Sequence, residues 1–108
     1  MDTTAQSLEL YRELEMVHRA MLDSARGDDW EEVARIGQRA EAITTQLAGI
    51  ERIHPLDVET RNALAPLMQR TLDLVSELRK LAEPARADRA AQLASNAQRN
   101  KLNDSYGV

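Results

Sequence analysis

The fold is decided by the stretch VARIGQRAEAITTQLAGI, which spans residues 33–50. Its stripe of apolar positions recurs at alternating steps of three and four residues: Val33, Ile36, Ala40, Ile43, Leu47 and Ile50. This spacing puts all of them on one face of an α-helix, as in the seam of a coiled coil. We therefore expect a long amphipathic helix that packs along a neighbouring helix.

A second stripe lies upstream and has the same kind of spacing. Its members are Leu10, Leu14, Val17 and Met21. They predict a first helix from about Thr4 to Arg26, with Thr3 and Gln6 forming a capping box at its start.

The connection between these two helices contains several turn and cap residues. Gly27 is expected to supply a left-handed C-terminal cap, and Asp28 or Asp29 is expected to start the next helix. Trp30 follows at once and should pack against the turn, which is favoured over a role as an exposed anchor for a partner. Because the connection is so short, the two helices should be antiparallel neighbours.

A third helix should begin after Pro55, because the residue before a proline is pushed out of helical geometry, and Asp57 is a natural N-cap. Its apolar stripe is wider than one seam and comprises Leu64, Leu67, Met68, Leu74, Val75, Leu78 and Leu81. A stripe of this width indicates a helix that contacts two partners, or one partner and a ligand. We expect the partner site in a groove whose lining residues are Leu67, Leu74, Leu78 and Leu81.

Proline and alanine shape the rest of the chain. Pro66 should kink the third helix unless the helix starts nearer Ala65, and Pro84 raises the same question again. Beyond it, residues 85–94 are alanine-rich and helical by propensity but weakly anchored. The expected fold is all-α: an antiparallel bundle of three long helices in residues 1–95, the third kinked by proline, plus a short C-terminal helical segment in residues 96–108.

That C-terminal segment is expected to regulate the groove. Residues 1–60 carry 13 acids and 6 bases, whereas residues 61–108 carry 5 acids and 8 bases, so the two ends attract each other. Leu102 and Tyr106 stand four residues apart and offer one weak helical anchor. A weak anchor suits a competitor that an arriving partner can displace.

Composition limits the class of protein. With 108 residues there is room for one core, and the absence of cysteine leaves no disulfide or thiolate metal site. No stretch approaches ~20 uninterrupted apolar residues, and the first residues have no secretion signal. We expect a cytoplasmic protein without membrane contact.

Two Glu-x-x-His pairs, Glu15/His18 and Glu51/His54, have the spacing of di-iron ligands. If the first two helices fold back on each other, the pairs lie about eleven residues apart, or roughly 16 Å at about 1.5 Å per residue. One metal cluster cannot span that distance. Motifs of catalysis and phosphate binding are absent, and the basic residues are scattered in an acidic chain. We therefore expect that the protein has no enzyme activity and no catalytic residues. We also expect that it binds no cofactor, no metal ion and no nucleic acid.

Three short segments, taken in order, resemble the FliT-type flagellar type III export chaperones. They are RGDDW at residues 26–30, TLD at residues 71–73 and LNDSYG at residues 102–107. The resemblance implies a chaperone of the flagellar filament-cap protein, with contacts to the export ATPase complex and, in some bacteria, to the master transcriptional activator of flagellar genes. It also implies that the C-terminal helix restrains partner binding, a role that falls on Leu102 and Tyr106.

The pattern of apolar residues alone leaves other classes open. A structural coiled-coil or adaptor module would self-associate, and a homodimer stays open for this chain. A DNA-binding helical protein would bind duplex in a salt-dependent manner. The favoured mechanism is a groove that receives a disordered export segment as a helix.

Overall fold

The computed structural model describes the backbone of residues 2–105 and the side chains of residues 2–101. It has three helices, α1 (Thr3–Arg26), α2 (Trp30–Ile53) and α3 (Val58–Ser105), and the described residues form no strand. The chain divides into two units, Met1–Leu78 and Arg79–Val108. The all-α class and the three long helices are thus confirmed.

Helix α1 starts one residue earlier than the sequence predicts. Asp2 is its N-cap, and the Asp2 carboxylate accepts a hydrogen bond from the backbone N–H of Thr4 at 3.2 Å. Thr3 is the first helical residue, so the predicted capping box of Thr3 and Gln6 is wrong. An aspartate at this position satisfies an unpaired N–H as well as threonine does, and its negative charge favours the helix N-terminus.

The turn between α1 and α2 places its strained residue differently from the prediction. Gly27 has φ −85°, whereas Asp28 takes the left-handed conformation with φ 58°. Aspartate tolerates this region because its short side chain bonds locally, and here it accepts from Trp30 Nε1 at 2.7 Å. Asp29 is the N-cap of α2 and accepts from Glu32 N at 3.1 Å, as expected.

The seam between α1 and α2 is the core of the first unit. Leu10 packs with Ile43 and Leu47, and Ile43 has no exposed surface. The partly buried residues around this cluster are Tyr11, Leu14, Val17 and Ile50. The predicted face of α2 is therefore the buried face, because it carries the apolar stripe of residues 33–50.

Polar contacts beside the seam join the same two helices. Arg39 Nε donates to Glu13 at 2.9 Å, and the Tyr11 hydroxyl donates to Glu51 Oε1 at 2.5 Å. Partial burial, together with the bond and the negative charge of Glu51, raises the pKa of Tyr11 to about 12. Tyr11 lies in the first half of α1 and Glu51 lies near the end of α2, so their contact is the one expected of antiparallel helices.

Helix α3 begins at the open end of this helix pair. Asp57 accepts from Thr60 N at 2.7 Å, which confirms it as the cap. Hydrogen bonds from the side chain and the backbone N–H of Thr60 lower the pKa of Asp57. Leu56 and Leu64 are buried on either side of the cap. Arg70 Nε then donates to Glu15 Oε2 at 3.1 Å, which ties α3 to α1.

Helix α3 is continuous through Pro66 and Pro84 up to Ser105. A separate short C-terminal helical segment is therefore not found, because its described part belongs to α3. The kink at proline and the division at residue 95 stay predictions. In the second unit the side chains of residues 86–101 are exposed, as expected for a helix formed by alanine propensity.

Replacing Ile43 by alanine should lower the free energy of unfolding by about 2 to 5 kcal/mol, since a fully buried side chain leaves a cavity. Ile53→Ala is the matched control on the same helix. Ile53 is 67% exposed, so its loss should change the free energy by less than about 0.5 kcal/mol. Urea unfolding followed by circular dichroism measures both, and equal effects would contradict the assigned seam.

The Tyr11 hydroxyl should titrate near pH 12, which near-ultraviolet tyrosinate absorbance can follow in a Tyr106→Phe background. Because folding raises this pKa above 10.0, its contribution to stability is complete below about pH 10 and is lost as the pH rises through about 12. Glu51→Gln should lower the pKa while burial keeps it above 10.0. An unchanged midpoint in Glu51→Gln would show that the carboxylate is not the cause.

Candidate partner-binding surface

One flank of α3 in the first unit carries large apolar side chains that are exposed. Val58 is 70% exposed, Met68 is 39% exposed and Leu72 is 60% exposed. With Ala65 they recur at steps of seven, three and four residues, so they share one side of the helix. We call Val58, Ala65, Met68 and Leu72 the apolar flank.

The buried line of α3 runs beside this flank. Leu64 and Thr71 are its most buried members, and the Thr71 hydroxyl donates to the carbonyl oxygen of Leu67 at 3.1 Å. A polar side chain is tolerated there because the helix backbone satisfies it. The apolar flank is thus the rim of a packed helix face.

The residues predicted to line the groove lie in the buried line of α3 or on the side of it that is opposite the apolar flank. Leu67, Leu74 and Leu78 are half-buried and belong to the first unit. Leu81 is 37% exposed and belongs to the second unit. Their role in partner binding stays a prediction. The sequence missed Leu72, although its step of four from Met68 was a signal for it.

A pocket of about 350 Å³ opens beside Met68. It forms where the start of α1, the end of α2, the following loop and the start of α3 meet; its lining residues are Tyr11, Glu51, Pro55, Leu56, Arg61 and Met68. Pro55 ends α2 and the Asp57 cap starts α3, so the local sequence fixes the loop that forms one wall.

The polar groups of the pocket have different partners. Glu51 is half-buried and accepts from the Tyr11 hydroxyl, but none of the ion pairs among the described side chains includes Glu51. Arg61 donates from Nε and Nη2 to the carbonyl oxygen of Leu56, at 3.3 and 3.1 Å. The guanidinium is therefore held by the loop.

The first Glu-x-x-His pair, Glu15/His18, makes other contacts. Glu15 pairs with Arg19 and Arg70, and Nδ1 of His18 lies 2.9 Å from the carbonyl oxygen of Leu14. Within residues 2–101, no group of three or more His, Cys, Asp or Glu side chains is arranged to hold a metal ion.

The predicted regulatory positions are at the end of the chain. The side chain of Leu102 and the whole of Tyr106 lie outside the described residues. Their role therefore stays a prediction. Among the helices described here, none is both long enough and apolar enough to cross a membrane.

Comparison with known proteins agrees with the three resembling segments. A family model described as flagellar protein FliT matches residues 8–108, which is nearly the whole chain. No curated protein and no solved structure gives a significant match. The chain therefore belongs to the FliT family, a family of flagellar export chaperones.

Proposed function

We propose that this protein is a cytoplasmic export chaperone that binds the disordered terminal segment of the flagellar filament-cap protein. The segment binds as a helix on the exposed apolar surface of α3. The observation that carries this proposal is the apolar flank, where Met68 and Leu72 are exposed in a chain of the FliT family. Membership of the family supplies the class of partner, and the flank supplies a surface that suits it.

The size of this surface fits a reversible chaperone. Covering Met68 and Leu72 would stabilise a complex by roughly 1 to 2 kcal/mol for each side chain. Ordering a disordered segment costs part of that gain. The affinity is therefore moderate, and release at the export gate needs no large input of energy.

The half-buried leucines extend the proposed surface. Leu67, Leu74 and Leu78 flank the buried line of α3 on its other side, and Leu81 follows in the second unit. We include Leu67, Leu74 and Leu78 as the second part of the partner site, and we propose separately that Leu81 contacts the partner. Contacts with the export ATPase complex and with a flagellar transcriptional activator belong to the same proposal, because the family implies them.

The alternative is a structural coiled-coil or adaptor module. The apolar flank would then be covered by a second copy of the chain, which gives a homodimer. Sedimentation at several protein concentrations separates the two functions. A chaperone binds the export segment as a one-to-one complex, whereas an adaptor stays self-associated and ignores the segment.

Residues 96–108 are proposed to restrain partner binding. The opposite net charges of residues 1–60, with 13 acids and 6 bases, and of residues 61–108, with 5 acids and 8 bases, support this proposal. In this proposal residues 96–108 compete with the partner for the groove, and Leu102 and Tyr106 are their anchors.

Leu72→Asp should weaken binding of the cap-protein segment at least tenfold, because it places a charge in the apolar flank. The fold should persist, since Leu72 is 60% exposed. Leu93→Asp is the matched control, because Leu93 is 67% exposed and lies in the second unit. Fluorescence anisotropy with a labelled segment measures affinity, and equal binding by both variants would contradict the proposed surface.

Leu74→Asp tests the second part of the site. Lost binding with an intact cooperative melting transition would place Leu74 in the site, whereas loss of that transition would make Leu74 a core residue.

Removing residues 96–108 should tighten binding of the segment, because a competitor is lost. The melting temperature should stay nearly unchanged, since the described side chains in this part are exposed. The full-length variant with Leu102→Asp and Tyr106→Asp should bind as tightly as the truncated chain. Unchanged or weaker affinity in both proteins would rule out a restraining role.

A further inference from the structure

Glu51 stands out among the half-buried acidic side chains because it takes part in none of the ion pairs between described side chains. Its Oε1 accepts from Tyr11, and no described donor reaches Oε2. A partner that covers this carboxylate removes its water, which is unfavourable unless the partner also supplies a cation. The pocket beside Glu51 therefore favours a partner group with positive charge.

Arg61 is the other charged residue of the pocket, and it forms no ion pair with Glu51. Its guanidinium donates to the carbonyl oxygen of Leu56 through two nitrogens. The loop therefore holds the guanidinium, and Glu51 is left to accept from a group outside the described protein.

The remaining walls suit the stem of a long basic side chain. Pro55, Leu56 and Met68 are apolar, and the volume of about 350 Å³ admits one lysine or arginine side chain. Met68 belongs both to the pocket and to the apolar flank. A helix on the flank can therefore direct one residue into the pocket.

We propose that the pocket receives one lysine or arginine side chain of the helical segment bound on the apolar flank, with Glu51 as its acceptor. This inference rests on the proposed function and specifies its substrate class: an amphipathic helix with one basic residue beside its apolar face. The charge of the first unit is complementary, because its sequence has 15 acids and 8 bases.

The test uses the full-length chain and a fluorescein-labelled peptide from the C-terminal end of the filament-cap protein encoded by the same bacterium. Glu51→Gln removes the charge but keeps an acceptor for Tyr11. We expect about tenfold weaker binding, the size of a lost charge-assisted hydrogen bond. Glu41→Gln is the matched control, because Glu41 is exposed on α2 and outside the pocket. It should change the affinity by less than about twofold.

A second arm identifies the basic residue on the peptide. Each lysine is replaced by norleucine and each arginine by citrulline, which keep the length of the side chain. One replacement should weaken binding to the unchanged protein about tenfold and have little further effect with Glu51→Gln. Equal effects in both backgrounds for every replacement would overturn the proposal.

Tyr11→Phe separates binding from folding. It removes the hydrogen bond to Glu51 but leaves the carboxylate in place, so binding should be unchanged or tighter. Weaker binding would assign the pair a structural role and overturn the proposal. If Glu51→Gln binds like Glu41→Gln while Leu72→Asp does not bind, the pocket proposal fails and the proposed function stands. If the unchanged protein does not bind the peptide, both fail.

Discussion

Burial of Ile43 against Leu10 and Leu47 is the contact on which the rest of the structure depends. This contact joins α1 to α2 along one apolar seam. Because the turn at Asp28 is short, the two helices are also close neighbours in the sequence. Once they are paired, α3 can add its buried line, around Leu64, to a ready-made surface. A single helix cannot bury a wide stripe against one such surface, so part of α3 stays exposed.

The sequence predicts those parts of the fold that depend on local or periodic signals. The seam of α2 and the Asp57 cap are of this kind, because helix period and cap chemistry act within a few residues. The conformation of the turn between α1 and α2 was harder to predict. Glycine is the usual left-handed residue, yet Asp28 takes that role because its carboxylate bonds to Trp30, which only the folded turn brings within reach. The continuous helix through Pro84 likewise follows from neighbouring helix propensity, which outweighs one lost hydrogen bond.

The candidate site was predictable only in outline. The width of the apolar stripe indicated excess surface on α3, but it could not tell which flank would stay uncovered. That choice depends on how α3 turns against the other helices, and it leaves Leu72 exposed while Leu74 is half-buried. The pocket had no sequence signal. Tyr11 and Glu51 are forty positions apart and meet only because the helix pair closes with a particular register.

An exposed apolar surface can bind unrelated apolar helices, and the charge of Glu51 reduces such nonspecific binding. Met68 and Leu72 would attract any apolar helix, including a second copy of the chain. Covering the neighbouring pocket with an apolar side chain would remove water from Glu51 and supply no cation, which costs free energy. A helix that brings a matching basic residue avoids this cost. The carboxylate thus selects among partners by penalising those without the cation, whereas the apolar flank supplies affinity to all of them.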